Sequence, residues 1–573
     1  MDIEEIKETE PWTLYEKGRN YHRLTGIYTD TDRNYRMYNG NQWGKAKLGD
    51  VEPVQKNFIK PIVKYKIAVI HDNLYAIVYS SQNYENKEFR KQAEKICEML
   101  NKKAAKIWEK DKMDFKGRRI SKDSAINDEG IMYVDYDKEN QLPLNEIIKK
   151  NDVYYGNEND DEIQNQPYIL IRKRIPVSIA REIAKKEGIS DEKIKFIIGD
   201  NDNFEESGES SKIELDNMVT IITKMYKKDG TVHFTKATKW VVLKEDSDSG
   251  LTYYPVAHIN WEEKEGSARG EGEVRYLIPN QIEVNRTEVR RVLTVKYQAY
   301  PQKIANIEKI TNPTALSTVG GIIKVHGMQV DDVSKVLSTL PPAQMSPDVK
   351  LLQDDLIQMS RDLAGAGESA TGDVDPESAS GRAILAVQRA SQSIMTEQKE
   401  SYKNFVEDLA KIWLDMMIVY SSDGLKLEET MKDPNTGEEL TQLVDIPQET
   451  LKELQASVKV DITPRGALDK YAQEISIENM FKAGMFNAQK LPELKIYVSL
   501  LDDESVMPKE KMEDAIRLIE EEQQKIAMMN AQAQLMQQRV SQFLNNDPNA
   551  QASQMNEYAN QNIQMNNDNQ VLQ

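Results

Sequence analysis

Between residues 270 and 420 the chain carries three apolar stripes at helical spacing, split by two stretches that cannot continue a helix. In the first, about 270–299, Val274, Leu277, Ile278, Ile282, Val289 and Leu293 recur at helical steps and share one face. About thirty residues rising 1.5 Å each reach roughly 45 Å. Pro279 lies inside this stripe and either kinks the helix or marks its first turn, and Pro301 ends it. The second stripe, 346–363, has a clear start. Ser346 suits the N-cap, Pro347 the first helical position, and Asp348 complements the helix dipole. Val349, Leu352, Leu356, Met359 and Leu363 follow at three- and four-residue spacing. The third stripe, 382–420, includes Ile384, Val387, Ile394, Phe405, Leu409, Ile412, Trp413 and Met416. An excursion at 301–345, with Pro313, Gly320-Gly321 and Pro341-Pro342, separates the first two stripes. A Gly/Ser-rich acidic loop at 364–381 separates the second and third. A long amphipathic helix with no partner in its own chain must bury its stripe against another copy.

The flanking regions have a different texture. Residues 1–100 read as polar helix with a loop-rich insert at 31–45, where Asn39-Gly40 signals a turn that Tyr35, Tyr38 and Trp43 anchor on a core. A second helical run spans 88–115. Residues 125–260 hold short strand-like segments: Ile131–Tyr136, Tyr168–Ile171, Val219–Tyr226, Thr231–Thr235 and Lys239–Leu243. Asp229-Gly230 and Asp246–Gly250 read as turns between them, 177–200 as a helix, and 200–212 as an exposed acidic loop. Strands return at Leu425–Glu428 and Ser457–Ile462. Residues 468–545 read as helical, with Ile516, Ile519, Ile526, Met529, Ala533, Met536, Val540 and Phe543 on the last stripe. From residue 546 the Asn-, Gln- and Met-rich tail is expected to be disordered. The fold class is therefore α+β, predominantly helical, and 573 residues accommodate two to four domains.

The chemistry is sparse. A net charge of −19 disfavours tight duplex binding, which needs Lys and Arg to displace counterions, without excluding a role that handles DNA loosely. Arg269, Arg275, Arg286, Arg290, Arg291 and Lys296 give the first long helix a basic surface, and Lys60, Lys64 and Lys66 punctuate another helix. Phosphate contact is one reading of these residues; intersubunit ion pairing or solvation is favoured. Cys97, the only cysteine, reads as a small buried hydrophobe, which excludes a disulfide framework within one chain. No segment approaches a membrane span, and the acidic start, Met1-Asp2-Ile3-Glu4-Glu5, lacks a secretory apolar core. The glycines at 365–367 and 270–272 open no dinucleotide or P-loop motif. His22, His71, His233, His258 and His326 are scattered, so no catalytic, cofactor or metal residue is assigned.

The order of these segments resembles the tailed-bacteriophage portal protein family over nearly the whole chain. Tyr38-Asn39-Gly40-Asn41-Gln42-Trp43, followed by Asn57 and Lys60-Pro61, is similar to the family's N-terminal Y-x-G-x-Q-W segment. Gly270-Glu271-Gly272-Glu273-Val274, leading to Asn280, Ile282 and Asn285, resembles its entry to a stem helix. Thr371-Gly372 through Ala379-Ser380-Gly381-Arg382-Ala383-Ile384 resembles its junction after a tunnel loop. The resemblance implies a wing at 1–269, stem helices at 270–299 and 346–363, a clip at 300–345 and a tunnel loop at 364–381. It further implies a long wing helix at 382–420, returning wing strands at 421–467, a helical crown at 468–545 and the tail at 546–573.

What the family does is then expected here. The expectation is a homododecameric ring at one capsid vertex, made in the host cytoplasm, through which double-stranded DNA is packaged and ejected. Its partners would be the terminase large subunit, a head–tail adaptor, and the major capsid and scaffolding proteins, with no enzyme activity, cofactor or membrane. Glu368, Ser369, Thr371, Asp373, Asp375, Glu377 and Ser378 would line the channel, their acids repelling phosphate. Arg275, Arg286, Arg290 and Lys296 would make stem contacts, to DNA or between subunits. The rival readings are another head–tail adaptor or scaffold protein and, from a different class, a terminase-type nucleic-acid enzyme, which would need a P-loop or a converging acid cluster.

Overall fold

A computed structural model describes residues 7–44, 52, 54–81, 87–200, 217–318, 321–326, 337–341, 344–367, 393–432, 439–454, 456–464, 480, 491–499 and 509–546. The chain divides into two units, Met1–Thr463 and Pro464–Gln573. Its mixture of helices and antiparallel strands is the α+β class expected.

The first unit opens with helices α1 (Glu10–Leu24) and α2 (Ile27–Asn39). Residues 31–39, expected as loop, belong to α2. The Asn39-Gly40 signal marks its C-terminus, where Gly40 takes a φ of 92°, a conformation that favours glycine. After α3 (Ile59–Ile70) comes a strand that the helical reading of 1–100 missed, β1 (Asn73–Ser80). Its partner is the strand at Ser457–Pro464, far away in sequence. The run at 88–115 is two helices, α4 (Lys87–Lys110) and α5 (Met113–Asn127), because Lys112 breaks it with a φ of 52°.

Strands β2 (Glu129–Asp137) and β3 (Leu142–Ile148) begin a three-stranded sheet. β4 (Val153–Tyr155) and β5 (Ile169–Pro176) begin a five-stranded one. Two short helices, α6 (Val177–Lys186) and α7 (Asp191–Ile194), precede β6 (Met218–Lys228), β7 (Thr231–Ala237), β8 (Val242–Asp248) and β9 (Val256–Asn260). The sheet orders are β3-β2-β9 and β4-β5-β6-β7-β8, with antiparallel pairing throughout. Asp229 and Gly230 turn β6 into β7 with φ values of 54° and 88°, the two positive angles of a type I′ hairpin turn. The other turn expectation needs correction. β8 starts at Val242, not Lys239, and continues to Asp248 through the stretch read as turn. β3, β4 and β9 were not anticipated. The expected loop at 200–212 lies almost wholly outside the described residues.

Then comes α8 (Glu273–Ala299), with Pro279 inside it. A small excursion follows, with paired strands β10 (Lys303–Ala305) and β11 (Leu337–Thr339), and α9 (Asp348–Leu363) returns. Ser346 Oγ accepts from the Asp348 amide at 3.3 Å, but the helix begins at Asp348 with Pro347 in the N-cap position, one residue later than expected. The third helix, α10 (Thr396–Val419), follows a turn at Ile394–Met395, and the expected portion at 382–392 lies outside the described residues. A hairpin of β12 (Leu425–Lys432) and β13 (Glu439–Ile446), the short α11 (Gln448–Glu453) and β14 (Ser457–Pro464) close the unit.

α10 is the centre of the main core. Tyr402, Phe405, Val406, Leu409, Ile412, Trp413, Met416 and Met417 are all buried, meeting residues of α3, α4, α5 and the β3-β2-β9 sheet. Each such side chain contributes roughly 1.5–3 kcal/mol of hydrophobic stabilisation. The fully buried Trp413 satisfies its indole N–H with Asn145 Oδ1 at 2.9 Å. Cys97 is buried in the same core, as expected, and burial foremost pushes its thiol up to about 11. A second core joins α6 and α7 to β6 and β8 through Val177, Ala180, Ile194, Val219 and Leu243.

In the second unit the described elements are α12 (Leu491–Ser499) and the 38-residue α13 (Lys509–Asn546). Ile516 packs on Tyr497 and Val498, whereas Ile519, Ile526, Met529 and Met536 of the expected stripe are exposed. The tail at 547–573 lies outside the described residues.

Candidate functional site

The chemically distinctive region is the hairpin of α8 and α9 with the buried anchors at its base. The turn into α8 must pass extremely close to other backbone. A Cβ on Gly270 would stand 2.4 Å from the Glu262 carbonyl oxygen, and one on Gly272 2.9 Å from the Asp128 amide nitrogen. The glycines of Gly270-Glu271-Gly272 therefore serve packing. The Gly272 amide donates to Asp128 Oδ1 at 2.8 Å, and Lys150 Nζ binds the other oxygen of Asp128 at 2.6 Å. Glu273, in the first turn of α8, accepts from Lys66 Nζ at 2.6 Å and from the Trp261 indole at 3.2 Å. Its carboxylate also complements the positive end of the helix.

Arg269 lies just before this turn and is buried. Its guanidinium donates to Glu129 Oε1, to both Glu158 oxygens at 2.8 and 3.0 Å, to the Val153 carbonyl at 2.9 Å and to His22 Nε2 at 2.9 Å. Tyr155 lies beneath it, 4.8 Å from ring centroid to guanidinium carbon. Burial alone would raise the Glu129 carboxyl. Arg269, and after it the His258 hydrogen bond, outweigh burial and hold Glu129 at about 2. Burial lowers His22 to about 4, with Arg269 adding to the effect. Because Arg269 only donates, neutral His22 must accept at Nε2 and carry its proton on Nδ1. One arginine thus ties the base of α8 to α1, β2, β4 and the segment at Glu158.

Further along, α8 and α9 run antiparallel and meet through polar groups. Asn280 Nδ2 donates to Ser360 Oγ at 2.9 Å, and Arg291 donates to Gln353 Oε1 at 2.7 Å. Gln353 Nε2 donates to Glu288 Oε2 at 2.7 Å. Gln353 and Ser360 are the buried residues of α9, whereas Leu351, Leu352, Met359 and Leu363 are exposed. The apolar stripe read from the sequence is real, but three of its members (Leu352, Met359 and Leu363) face outward in the protomer. Val295, Tyr297 and Tyr300 at the far end of α8 are exposed as well.

The expected stem residues gather on one side of α8, since 275, 286 and 290 differ by only about 60° of helical rotation. Their charges are answered on the same helix or just before it. Arg275 lies 3.8 Å from Glu271, and Arg286 and Arg290 lie 3.6 and 3.4 Å from Glu283. Lys296 sits on an adjacent part of the helix, half-buried. Two members of the expected basic surface are not surface residues at all: Arg269 and Lys66 are buried in the ion pairs above. Glu368, Ser369, Thr371, Asp373, Asp375, Glu377 and Ser378 lie outside the described residues. Nothing local in the sequence marked Arg269 or Gln353 as buried. For Gln281 the available signal was the polar series Gln281, Asn285, Glu288, spaced for a single helix face.

Among the described residues, no group of His, Cys, Asp and Glu could hold a metal ion, and no helix is long and apolar enough to cross a membrane. No curated protein matches the chain. A family model described as Phage P22-like portal protein matches residues 19–567. That match spans almost the entire sequence, all three motif-bearing regions and the helix pair included, and the chain therefore belongs to the phage P22-like portal protein family.

Proposed function

We propose that the chain forms a twelve-subunit ring through which double-stranded viral DNA is packaged and later ejected. Its family carries the role of head–tail connector, a structural ring at the capsid portal vertex. The observation that best supports the finer reading is the α8–α9 hairpin, with polar contacts inside and large apolar side chains outside. In a ring, one face of each hairpin meets a different face of the next, a heterologous contact that rotation closes. Leu351, Leu352, Leu363 and Val295 are suited to fill that contact.

In this reading α8 and α9 are the stem and the excursion between them is the clip. The clip exposes Ile304, Ile307, Ile322 and Leu340, apolar groups that a docking partner could cover. It would meet the terminase large subunit during packaging and the head–tail adaptor afterwards, while the outer ring contacts the capsid and scaffolding proteins. The acids of 364–381 face the DNA and repel its phosphates, and the stem arginines, offset by Glu271 and the shared Glu283, grip it weakly. DNA passes because nothing along the bore holds it. Deleting 366–378 tests the loop assignment. Rings should still form while packaging or DNA retention declines, and loss of ring formation would refute it.

A further inference from the structure

Two of the three motifs that carry the family resemblance, the segment around Gln42 and the entry to α8, meet in space. Asn285 Nδ2 donates to Gln42 Oε1, across 243 residues of chain, and Gln42 Nε2 donates to the Met37 carbonyl at 3.0 Å. Gln281, fully buried, receives the Phe58 amide at 3.0 Å and donates to the Lys56 carbonyl at 2.7 Å. Its Nε2 also lies 3.0 Å from Asn285 Oδ1, which accepts from the Lys56 amide at 3.3 Å. Lys56 then reaches forward along α8, its Nζ 3.3 Å from Glu288 Oε2. That same oxygen accepts from Gln353 of α9 at 2.7 Å and from Arg291 at 3.1 Å.

These bonds form one unbroken chain, Gln42–Asn285–Gln281–Lys56–Glu288–Gln353. It starts in the N-terminal segment, follows one face of α8 and ends on α9. Gln281, Asn285 and Gln353 are almost wholly excluded from water. A buried amide can drop a partner only by leaving a group unsatisfied, so the bonds favour one arrangement together. Glu288 joins the two halves, because its single oxygen serves both Lys56 and Gln353. An apolar α8–α9 contact would tolerate sliding by part of a turn, whereas this polar contact specifies one register.

We propose that this amide chain is a register latch. Gln281, Asn285, Glu288 and Gln353 are positioning residues that couple the N-terminal segment at Gln42 and Lys56–Phe58 to the register of α9 on α8. The functional consequence rests on the reading above: α9 leads directly into the loop at 364–381, so its register sets where that loop is presented. The coupling itself does not depend on that reading, and its test uses neither rings nor DNA.

The test is amide hydrogen exchange, read by mass spectrometry on the full chain and on two variants. Gln353→Leu removes the last link on α9. Exchange over 54–58 should then rise at least tenfold, while α5 (113–127) is unchanged. Asn285→Leu should conversely speed exchange over 348–363 by a similar factor, because coupling is reciprocal. If Gln353→Leu loosens only 348–363 and Asn285→Leu only 42–58, the latch is refuted. Should either variant fail to fold, Glu288→Gln keeps the shape but loses the Lys56 ion pair. It should speed exchange at both 54–58 and 348–363, and an increase at one of them alone would overturn the proposal.

Discussion

From Glu273 to Val289 the inner face of α8 is buried, and polar groups on it and in the turn before it meet Asp128, Lys66, Trp261, Gln42 and Lys56. From Val295 to Tyr300 the same chain presents Val295, Tyr297 and Tyr300 to solvent, and the start of α9 on that side presents Leu351 and Leu352. Helix propensity does not distinguish the two stretches; the difference lies in what surrounds them. The near half has all its partners within one chain, including charges that could not be buried without them. The far half has polar register contacts and no apolar cover. The protomer therefore completes the anchor of the helix pair by itself, and in the proposed ring the apolar closure would come from another copy.

The largest effect should come from the anchored end. Arg269→Met would leave Glu129 and Glu158 buried without their guanidinium, a defect that costs about 3–5 kcal/mol. Chemical denaturation should show that loss, and a variant as stable as the parent would mean the base of α8 is held by packing alone.

Acid attacks the same end through His22, and the core against α10 through His71, which packs on Tyr402 and bonds Ser121. Both are lowered to about 4, by burial first and then by Arg269 and Arg118 respectively. With the folded value depressed, the unfolded chain takes up the proton first. The stability these histidines protect is complete above about pH 6.5 and is lost as pH falls through about 4. Glu129, held at about 2, adds a further loss only below about pH 4.5. The free energy of unfolding should fall by an amount on the order of a few kcal/mol between pH 6.5 and 4, and His22→Gln should flatten the fall. A flat profile would show that these rings are not held neutral.

These two ends were unequally legible in the sequence. The three long stripes, the Ser346 start and the Asp229-Gly230 hairpin are local patterns, written in residues a few positions apart. The Arg269 cluster draws on residues 22, 129, 158 and 258, so no window of sequence contains it. β1 was missed for the same reason, since its partner strand lies at 457–464. Periodicity also finds a face without saying what it meets. On α9 it identified Leu352 and Leu363, whereas the side turned toward α8 is that of Gln353 and Ser360.

The far end should respond in assembly and not in protomer stability. Leu351→Glu or Val295→Glu should raise the concentration needed for assembly at least tenfold, about 1.4 kcal/mol. The denaturation of the protomer should change by no more than about 0.5 kcal/mol. A large stability loss would mean these side chains already have cover in one chain. The smallest effect is expected of Arg275→Gln and Arg286→Gln. Each removes only an exposed ion pair with a nearby glutamate, worth at most about 1 kcal/mol. A strong change in the salt dependence of DNA retention would instead make these arginines phosphate contacts.

The central claim, that the exposed face of the α8–α9 hairpin is closed by further copies into a ring, is tested most directly by negative-stain electron microscopy of the purified chain. The account predicts a ring with a central hole and twelve-fold symmetry. A population of monomers or rods under the same conditions would contradict it.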